Sequence, residues 1–177
     1  MADVLYYTLI AVGVLAGILA LIAILGLFLP KSHQVARSIT LKAAPEVIWR
    51  VVTDFPSVTT WHAGVEKVER LADENGHEIW RETFAGGYPM RLETLEAIAP
   101  RRLVRAITDE TGPFAGRWEF DIAPIENGSR LTLTEYGEIA NPFFRCMARL
   151  FMNPAMYVEI YLKALAGKFK EPTIVGK

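Results

Sequence analysis

The feature that most constrains this chain is a long uncharged run near its N-terminus. No position from Val4 to Pro30 carries a charged side chain, and the apolar part of this run, Leu5–Leu29, is 25 residues long. As a helix it would extend about 37 Å at roughly 1.5 Å per residue. This length exceeds the hydrocarbon core of a bilayer, which is about 30 Å thick. The sequence therefore predicts a tilted transmembrane helix within residues 1–30.

A cleaved signal peptide is the alternative interpretation of this run. Signal peptides have a basic start and an apolar core of about 7–15 residues. Here the chain begins Met-Ala-Asp-Val-Leu-Tyr-Tyr, without Lys or Arg, and the apolar core is longer. These features favour an anchor that is retained.

Flanking charges predict the orientation of the anchor. Asp3 is the only charge before the span, whereas Lys31, Arg37 and Lys42 follow it. By the positive-inside rule, residues 31–177 form a domain that faces the cytoplasm. Gly13 and Gly17 form a small-xxx-small pattern that could let two anchors pack as a homodimer.

The 147 residues after Pro30 have no net charge and few of the motifs of cofactor chemistry. They contain all 19 Lys and Arg residues and 19 of the 20 Asp and Glu residues, so the basic surplus typical of nucleic-acid binding is missing. A single cysteine excludes a disulfide scaffold. His33, His62, His77 and Cys146 lack metal-ligand spacing, and neither a P-loop nor a Gly-x-Ser-x-Gly elbow is present. We expect no nucleic acid, metal or cofactor.

Hydrophobic periodicity and turn signals predict many strands and few helices in the domain. Pro45 and Glu46 indicate the start of a short helix that continues to Asp54, followed by a second short helix or turn at 57–61. Asn75-Gly76 and Asn127-Gly128 are typical of tight hairpins. The predicted strands are residues 35–42, 65–72, 77–85, 88–97, 102–108, 117–125 and 129–138.

The C-terminal part of the domain is predicted to form one long helix. Asn141 and Pro142 suit its start, an apolar stripe continues to Phe169, and Pro154 predicts a kink near 151–153. An antiparallel sheet with one apolar face needs a partner, and this helix is the only predicted element large enough. The expected fold class is therefore α+β, with about six to seven curved antiparallel strands around a long C-terminal helix.

Several segments carry a resemblance to a known superfamily. They are Ala-Pro-Glu-Val-Ile-Trp at 44–49, Asp-Phe-Pro at 54–56, Trp61, Ala-Pro-Arg-Arg-Leu at 99–103, Gly-Pro-Phe-Ala-Gly-Arg-Trp at 112–118 and Tyr-Leu-Lys-Ala-Leu at 161–165. Their order resembles the START-like helix-grip superfamily, and most closely its polyketide cyclase/dehydrase and lipid-transport group (SRPBCC), over about residues 34–171. The resemblance implies a sheet that grips the last helix, with an apolar cavity between them.

This superfamily does not imply one chemistry. Its members bind lipids, sterols and aromatic metabolites, and only some of them catalyse reactions. The predicted N-terminal anchor does not belong to the family pattern. An anchored protein would not act as a freely diffusing carrier.

Candidate site residues are those that could line such a cavity. Trp61 and His62 follow the short helices where the mouth would lie, and His62 or Glu82 would be the acid–base group of an enzyme. Trp61 and His62 could instead be structural residues of a loop, and Glu82 could be part of a cross-strand ion pair. We assign no catalytic residue. The predicted ligand-binding set is Trp61, His62, Glu82, Met90, Trp118, Phe120, Tyr136, Phe143, Met147 and Phe151.

Three functions are compatible with these features. The first is a membrane-anchored domain that binds a lipid or another apolar small molecule without catalysis. The second is a cyclase or aromatase that uses acid–base chemistry on a polyketide-like substrate. The third is a membrane scaffold that assembles through Gly13 and Gly17.

Overall fold

The N-terminal apolar run forms one continuous helix. The computed structural model describes residues 1–108, 114–172 and 176, so Gly112 and Pro113 of the resemblance lie outside the described residues. Helix α1 spans Ala2–Leu27. Among the described residues it is the one helix that is long and apolar enough to cross a membrane, and its mean hydropathy is 2.9. Most of its side chains are exposed to the surroundings rather than packed against the domain.

Seven antiparallel strands form a single sheet, as the alternating patterns predict. The spatial order is β1-β7-β6-β5-β4-β3-β2, so the first strand closes beside the last. A register shift between Thr94 and Glu96 marks a bulge in β4, which increases the local twist of the sheet. The strands are β1 Ser32–Leu41, β2 Val65–Arg70, β3 Glu78–Phe84, β4 Tyr88–Ile98, β5 Arg102–Ile107, β6 Phe114–Ile125 and β7 Gly128–Ile139.

One end of this sheet lies next to α1, the predicted anchor. Ser32, which begins β1, pairs with Glu138 near the end of β7, and Phe114 of β6 pairs with Ile139. Because all neighbouring strands are antiparallel, the end of β5, the start of β4, the end of β3 and the start of β2 lie at this same end. We call it the anchor end of the sheet.

The predicted turns and the first helix of the domain are confirmed. Helix α2, Pro45–Thr53, begins at the predicted proline and continues into a 3₁₀ helix at Phe55–Thr60. Asn75 and Gly76 both have positive φ, as a tight hairpin turn of the predicted type requires.

The C-terminal helix differs from the expectation, because it is broken rather than kinked. Helix α3 spans Pro142–Phe151 and helix α4 spans Met156–Lys168. The intervening residues leave the helical conformation, since Pro154 cannot donate a backbone hydrogen bond and its ring clashes with the preceding turn. Consequently only α4 is gripped by the sheet, where it packs against β1 and β7, while α3 packs against α1.

The hydrophobic core joins α4 and α2 to the concave face of the sheet. Leu162 and Leu165 of α4 are fully buried, as is Ile48 of α2. Arg37 of β1 also donates a hydrogen bond to Glu159 of α4 (Nε to Oε1, 3.1 Å). This core fills the half of the interior that lies away from the anchor end. Its other members are Ile39, Leu41, Val52, Phe55, Leu103, Phe120, Ile122, Leu131, Leu133, Val158 and Ala166.

Candidate functional site

A cavity of about 440 Å³ lies between the sheet and the N-terminal half of α4. Its volume falls in the range of about 300–1,000 Å³ that is usual for small-molecule sites. Phe84, Ile107 and Phe114, which line it, stand at strand ends on the anchor end of the sheet. Tyr88 and Ile160 line it as well and are exposed. The cavity therefore reaches the surface at the anchor end of the sheet.

A buried ion pair projects into this largely apolar space. Arg105 on β5 donates from Nη1 to Oε1 of Glu82 on β3, and both side chains are only 5% exposed. Arg105 lies on the inward face because it is two residues from Leu103 and from Ile107, and residues two apart in a strand share a face. Its guanidinium carbon also stands 3.9 Å from the centroid of the Phe55 ring, a cation–π contact.

Part of the guanidinium has no hydrogen-bond partner among the described residues. Nε and Nη2 of Arg105 are buried, and their N–H groups donate to no acceptor there. Leaving buried donors unpaired costs about 1–3 kcal/mol each, so a ligand oxygen that accepts from them would recover this energy. The cavity thus has a largely apolar wall and, at Arg105, a buried cationic hydrogen-bond donor.

His62 and Tyr161 complete the polar side of the cavity. Nδ1 of His62 accepts a hydrogen bond from the backbone N–H of Gly64 (3.1 Å), so its lone pair is engaged. Desolvation lowers the pKa of His62, which favours the neutral imidazole with a proton on Nε2. Burial also disfavours the charged form of Tyr161, so it raises the pKa of this hydroxyl, which stays protonated.

A smaller cavity of about 150 Å³ adjoins the first on the anchor side. His33, Phe114 and Glu135 line both cavities. Desolvation raises the pKa of Glu135, although the charge of His33 opposes the rise; His33 Nε2 lies 3.5 Å from Glu135 Oε1. The other carboxylate oxygen of Glu135 is buried and has no hydrogen-bond partner in the part of the chain that the structure describes.

The structure brings six of the ten predicted residues to the large cavity. They are His62, Glu82, Met90, Trp118, Phe120 and Tyr136. The Tyr136 hydroxyl is already engaged, since Gln34 Nε2 donates to it at 3.3 Å. The Arg117 guanidinium carbon lies 4.0 Å from the centroid of the Tyr136 ring.

The other four predicted residues lie elsewhere. The ring of Trp61 packs edge-on against Tyr161, with the ring centroids 5.4 Å apart, so it supports a cavity residue without lining the cavity. Phe143, Met147 and Phe151 lie on α3, away from the cavity, because the helix breaks before it reaches the sheet. Sequence reasoning missed Arg105, Glu135 and Tyr161.

Groups of side chains suited to hold a metal ion are not found among the described residues. The polar groups of the cavity are instead guanidinium, carboxylate, imidazole and phenol side chains, among them the ion pair of Arg105 and Glu82. This set favours hydrogen bonding to an organic ligand.

A seven-stranded antiparallel sheet closed over a C-terminal helix, with an apolar cavity between them, defines a START-like helix-grip protein. The chain belongs to the family described as polyketide cyclase / dehydrase and lipid transport, whose model matches residues 32–170. The match begins with β1, so the anchor lies outside it.

Solved structures show the same fold at low sequence identity. A START superfamily protein from Mycobacterium smegmatis is 19% identical, with a TM-score of 0.62 over 78% of this chain and 97% of that one. The Zhui aromatase/cyclase from Streptomyces sp. R1128 is 16% identical, with a TM-score of 0.64 over 78% and 94%. Ginseng major latex-like protein 151 from Panax ginseng is 10% identical, with a TM-score of 0.62 over 80% and 97%. No curated protein matches the sequence significantly.

Proposed function

We propose that this protein is a single-pass membrane protein whose domain binds a lipid or another apolar small molecule without chemically changing it. The observation that carries the proposal is the apolar cavity of about 440 Å³ with a buried, partly unpaired guanidinium at Arg105. The best-fitting ligand is apolar over most of its length and carries one oxygen that accepts hydrogen bonds from Nε and Nη2 of Arg105.

The state of the polar groups supports binding rather than acid–base catalysis at the residues first considered. A general base needs a free lone pair within reach of the substrate. The lone pair on Nδ1 of His62 is engaged by Gly64, and the carboxylate of Glu82 is paired with Arg105. Tyr161 holds its proton. These groups can position a ligand: the lone pair on Nδ1 of His62 is already used, and a proton taken up by Glu82 would weaken its ion pair with Arg105.

The position of the anchor supports an apolar ligand from the bilayer. Only Phe28–Lys31 separates the end of α1 from the start of β1. The cavity is lined by residues at the same end of the sheet, including Phe84, Phe114 and Ile139. A lipid would therefore travel a short distance between the membrane and the cavity.

The test is ligand binding to the full chain in mild detergent, with cis-parinaric acid as probe. This fatty acid carries a carboxylate and a long apolar chain, and it fluoresces more strongly when it is bound in an apolar site. We expect saturable binding by the wild type and a large loss in Ile107→Trp, which places a bulky ring in the cavity wall. Leu95→Trp is the matched control, because Leu95 is exposed and does not line the cavity. Equal signals from the three proteins would contradict the proposal.

A second candidate function, a cyclase-like enzyme, is favoured by Glu135 rather than by His62 or Glu82. Burial raises the pKa of this carboxyl, which brings it closer to the range in which a group exchanges protons near neutral pH. Glu135→Gln separates the two functions in a strain that depends on the gene. A variant that binds cis-parinaric acid normally but does not complement would favour catalysis; normal complementation would favour binding alone.

A further inference from the structure

Helix α3 lies beside the C-terminal end of α1. The backbones meet most closely where a Cβ placed on Gly26 of α1 would lie 1.8 Å from the carbonyl oxygen of Pro142. Gly26 is buried, and Ile22, Ala23 and Leu29 on the same side of α1 are half-buried. These positions recur at helical spacing, so one face of the last turns of α1 is covered by α3.

Arg145 of α3 fixes this contact. Its Nη1 donates to the carbonyl oxygens of Gly26 (2.9 Å) and Leu29 (3.1 Å) at the end of α1. Its Nε and Nη2 donate to the carbonyls of Ile139 (3.0 Å) and Ala140 (2.7 Å). The buried guanidinium thus caps the negative end of the anchor and joins it to the last strand.

The contact places α3 at the depth of the bilayer surface. Ile22 and Gly26 are about 6 Å apart along the helix axis at roughly 1.5 Å per residue. Both belong to the apolar run, which is about 7 Å longer than a hydrocarbon core of about 30 Å. A helix that packs against this stretch lies at the border between the hydrocarbon and the headgroups.

The free face of α3 has the composition of a membrane-interface helix. Leu150 is 65% exposed, Phe151 is 79% exposed, and Phe144 is also exposed. Phe28, which directly follows α1, is 83% exposed as well. In water these apolar side chains are unfavourably exposed, whereas at a bilayer surface they are buried.

Two cations stand at the same level. Lys31 follows the anchor and Arg149 lies on α3, and both are exposed. Both line the smaller cavity, and within the described residues neither has a carboxylate partner. Cations at this depth attract the phosphates of anionic lipids.

We propose that α3 is an interfacial helix. Its face formed by Phe144, Leu150 and Phe151 inserts into the bilayer surface, and Lys31 and Arg149 bind anionic lipid headgroups there. The inference rests on the membrane-spanning part of the proposed function. It adds a second contact that sets the tilt of the domain and holds the cavity opening towards the bilayer.

Spin labels on the full chain in phosphatidylcholine vesicles test the depth of α3. In a Cys146→Ala background, single cysteines replace Leu150, Phe151, Leu15 in the middle of α1, or Glu126 in the turn opposite the anchor end. We expect labels at positions 150, 151 and 15 to collide with oxygen and to be shielded from a water-soluble nickel chelate. The label at position 126 should collide readily with the chelate.

The four labels separate the two proposals. If position 15 is shielded while positions 150 and 151 meet the chelate as position 126 does, the interfacial role of α3 is wrong and the anchor stands. If position 15 meets the chelate, the membrane-spanning helix is wrong as well. Adding phosphatidylglycerol should move the labels on α3 deeper, and a Lys31→Gln, Arg149→Gln variant should lose this shift. An equal shift in the variant would overturn the role of the two cations.

Discussion

The pair formed by Arg105 and Glu82 gives the sharpest test of how this cavity is built. Each side chain is 5% exposed, so each charge has lost nearly all of its contact with water. Replacing Glu82 by Met leaves the guanidinium buried without its counter-charge, and replacing Arg105 by Met leaves the carboxylate in the same position. A broken buried pair of this kind costs about 3–5 kcal/mol.

This cost is large relative to the stability of a domain, which is about 5–15 kcal/mol in total. For a domain of this length, 1 kcal/mol lowers the melting temperature by roughly 2–4 °C. We therefore expect each single variant to melt roughly 6–20 °C below the wild type. The double variant removes both charges and keeps most of the volume, so its stability should equal or exceed that of the wild type by up to about 4 kcal/mol.

The assay is thermal unfolding of the full chain in mild detergent, followed by tryptophan fluorescence. Arg102→Met is the matched control, because Arg102 belongs to the same strand but is 32% exposed and pairs with Glu96, Glu119 and Asp121 on the outer face. Pairs this open to solvent contribute roughly 0.2–1 kcal/mol each. With three such pairs, the control should lose about 0.6–3 kcal/mol in total, less than Arg105→Met.

Two results would refute the reasoning. Single variants that melt within about 2 °C of the wild type would mean that water reaches the pair and screens it. A double variant that melts as low as the singles would mean that packing, not charge, was lost. A stable double variant should also lose cis-parinaric acid binding, because the unpaired N–H groups of Arg105 would be gone; retained affinity would remove Arg105 from the proposed site.

Two further predictions concern single side chains. Desolvation lowers the pKa of His62 in the folded chain, so below about pH 6.5 the unfolded chain binds a proton that the folded chain does not. The melting temperature of the wild type should therefore fall below that pH, and that of a His62→Gln variant should fall less. An equal fall in the two proteins would contradict this. Asn141 Oδ1 accepts from the backbone N–H of Phe143 (2.9 Å) and Phe144 (3.3 Å) at the start of α3. Asn141→Ala should cost about 1 kcal/mol, measured as a fall of roughly 2–4 °C in melting temperature, whereas Asn141→Asp should retain most of the stability.

The sheet was predictable because its signals are local. Asn75-Gly76 and Asn127-Gly128 allow the positive φ angles of tight turns, and alternation of apolar and polar residues in β6 identifies its inward face. Asn141 and Pro142 likewise mark the start of α3 within one residue. Each of these signals depends on residues that are close in the chain.

The polar side of the cavity could not be predicted in this way. Arg105 and Glu135 occupy inward positions of β5 and β7, where a period-two pattern only shows a charge in an apolar position. Whether such a charge is buried depends on the partner that the fold brings to it. Glu82 stands two strands away from Arg105 in the sheet, and this juxtaposition has no counterpart in the spacing of the sequence.

The break at Pro154 explains why three of the predicted ligand-binding residues do not line the cavity and why α3 packs against α1. An unbroken helix from Pro142 to Phe169 would have carried Phe143, Met147 and Phe151 onto the sheet as cavity wall. Because residues 152–155 are not part of either helix, α4 alone fills that role and α3 is released to pack along α1. The same apolar residues that suggested a ligand site then form a surface beside the anchor. One proline thereby divides a predicted single element into a helix that forms a wall of the cavity and a helix that packs against α1.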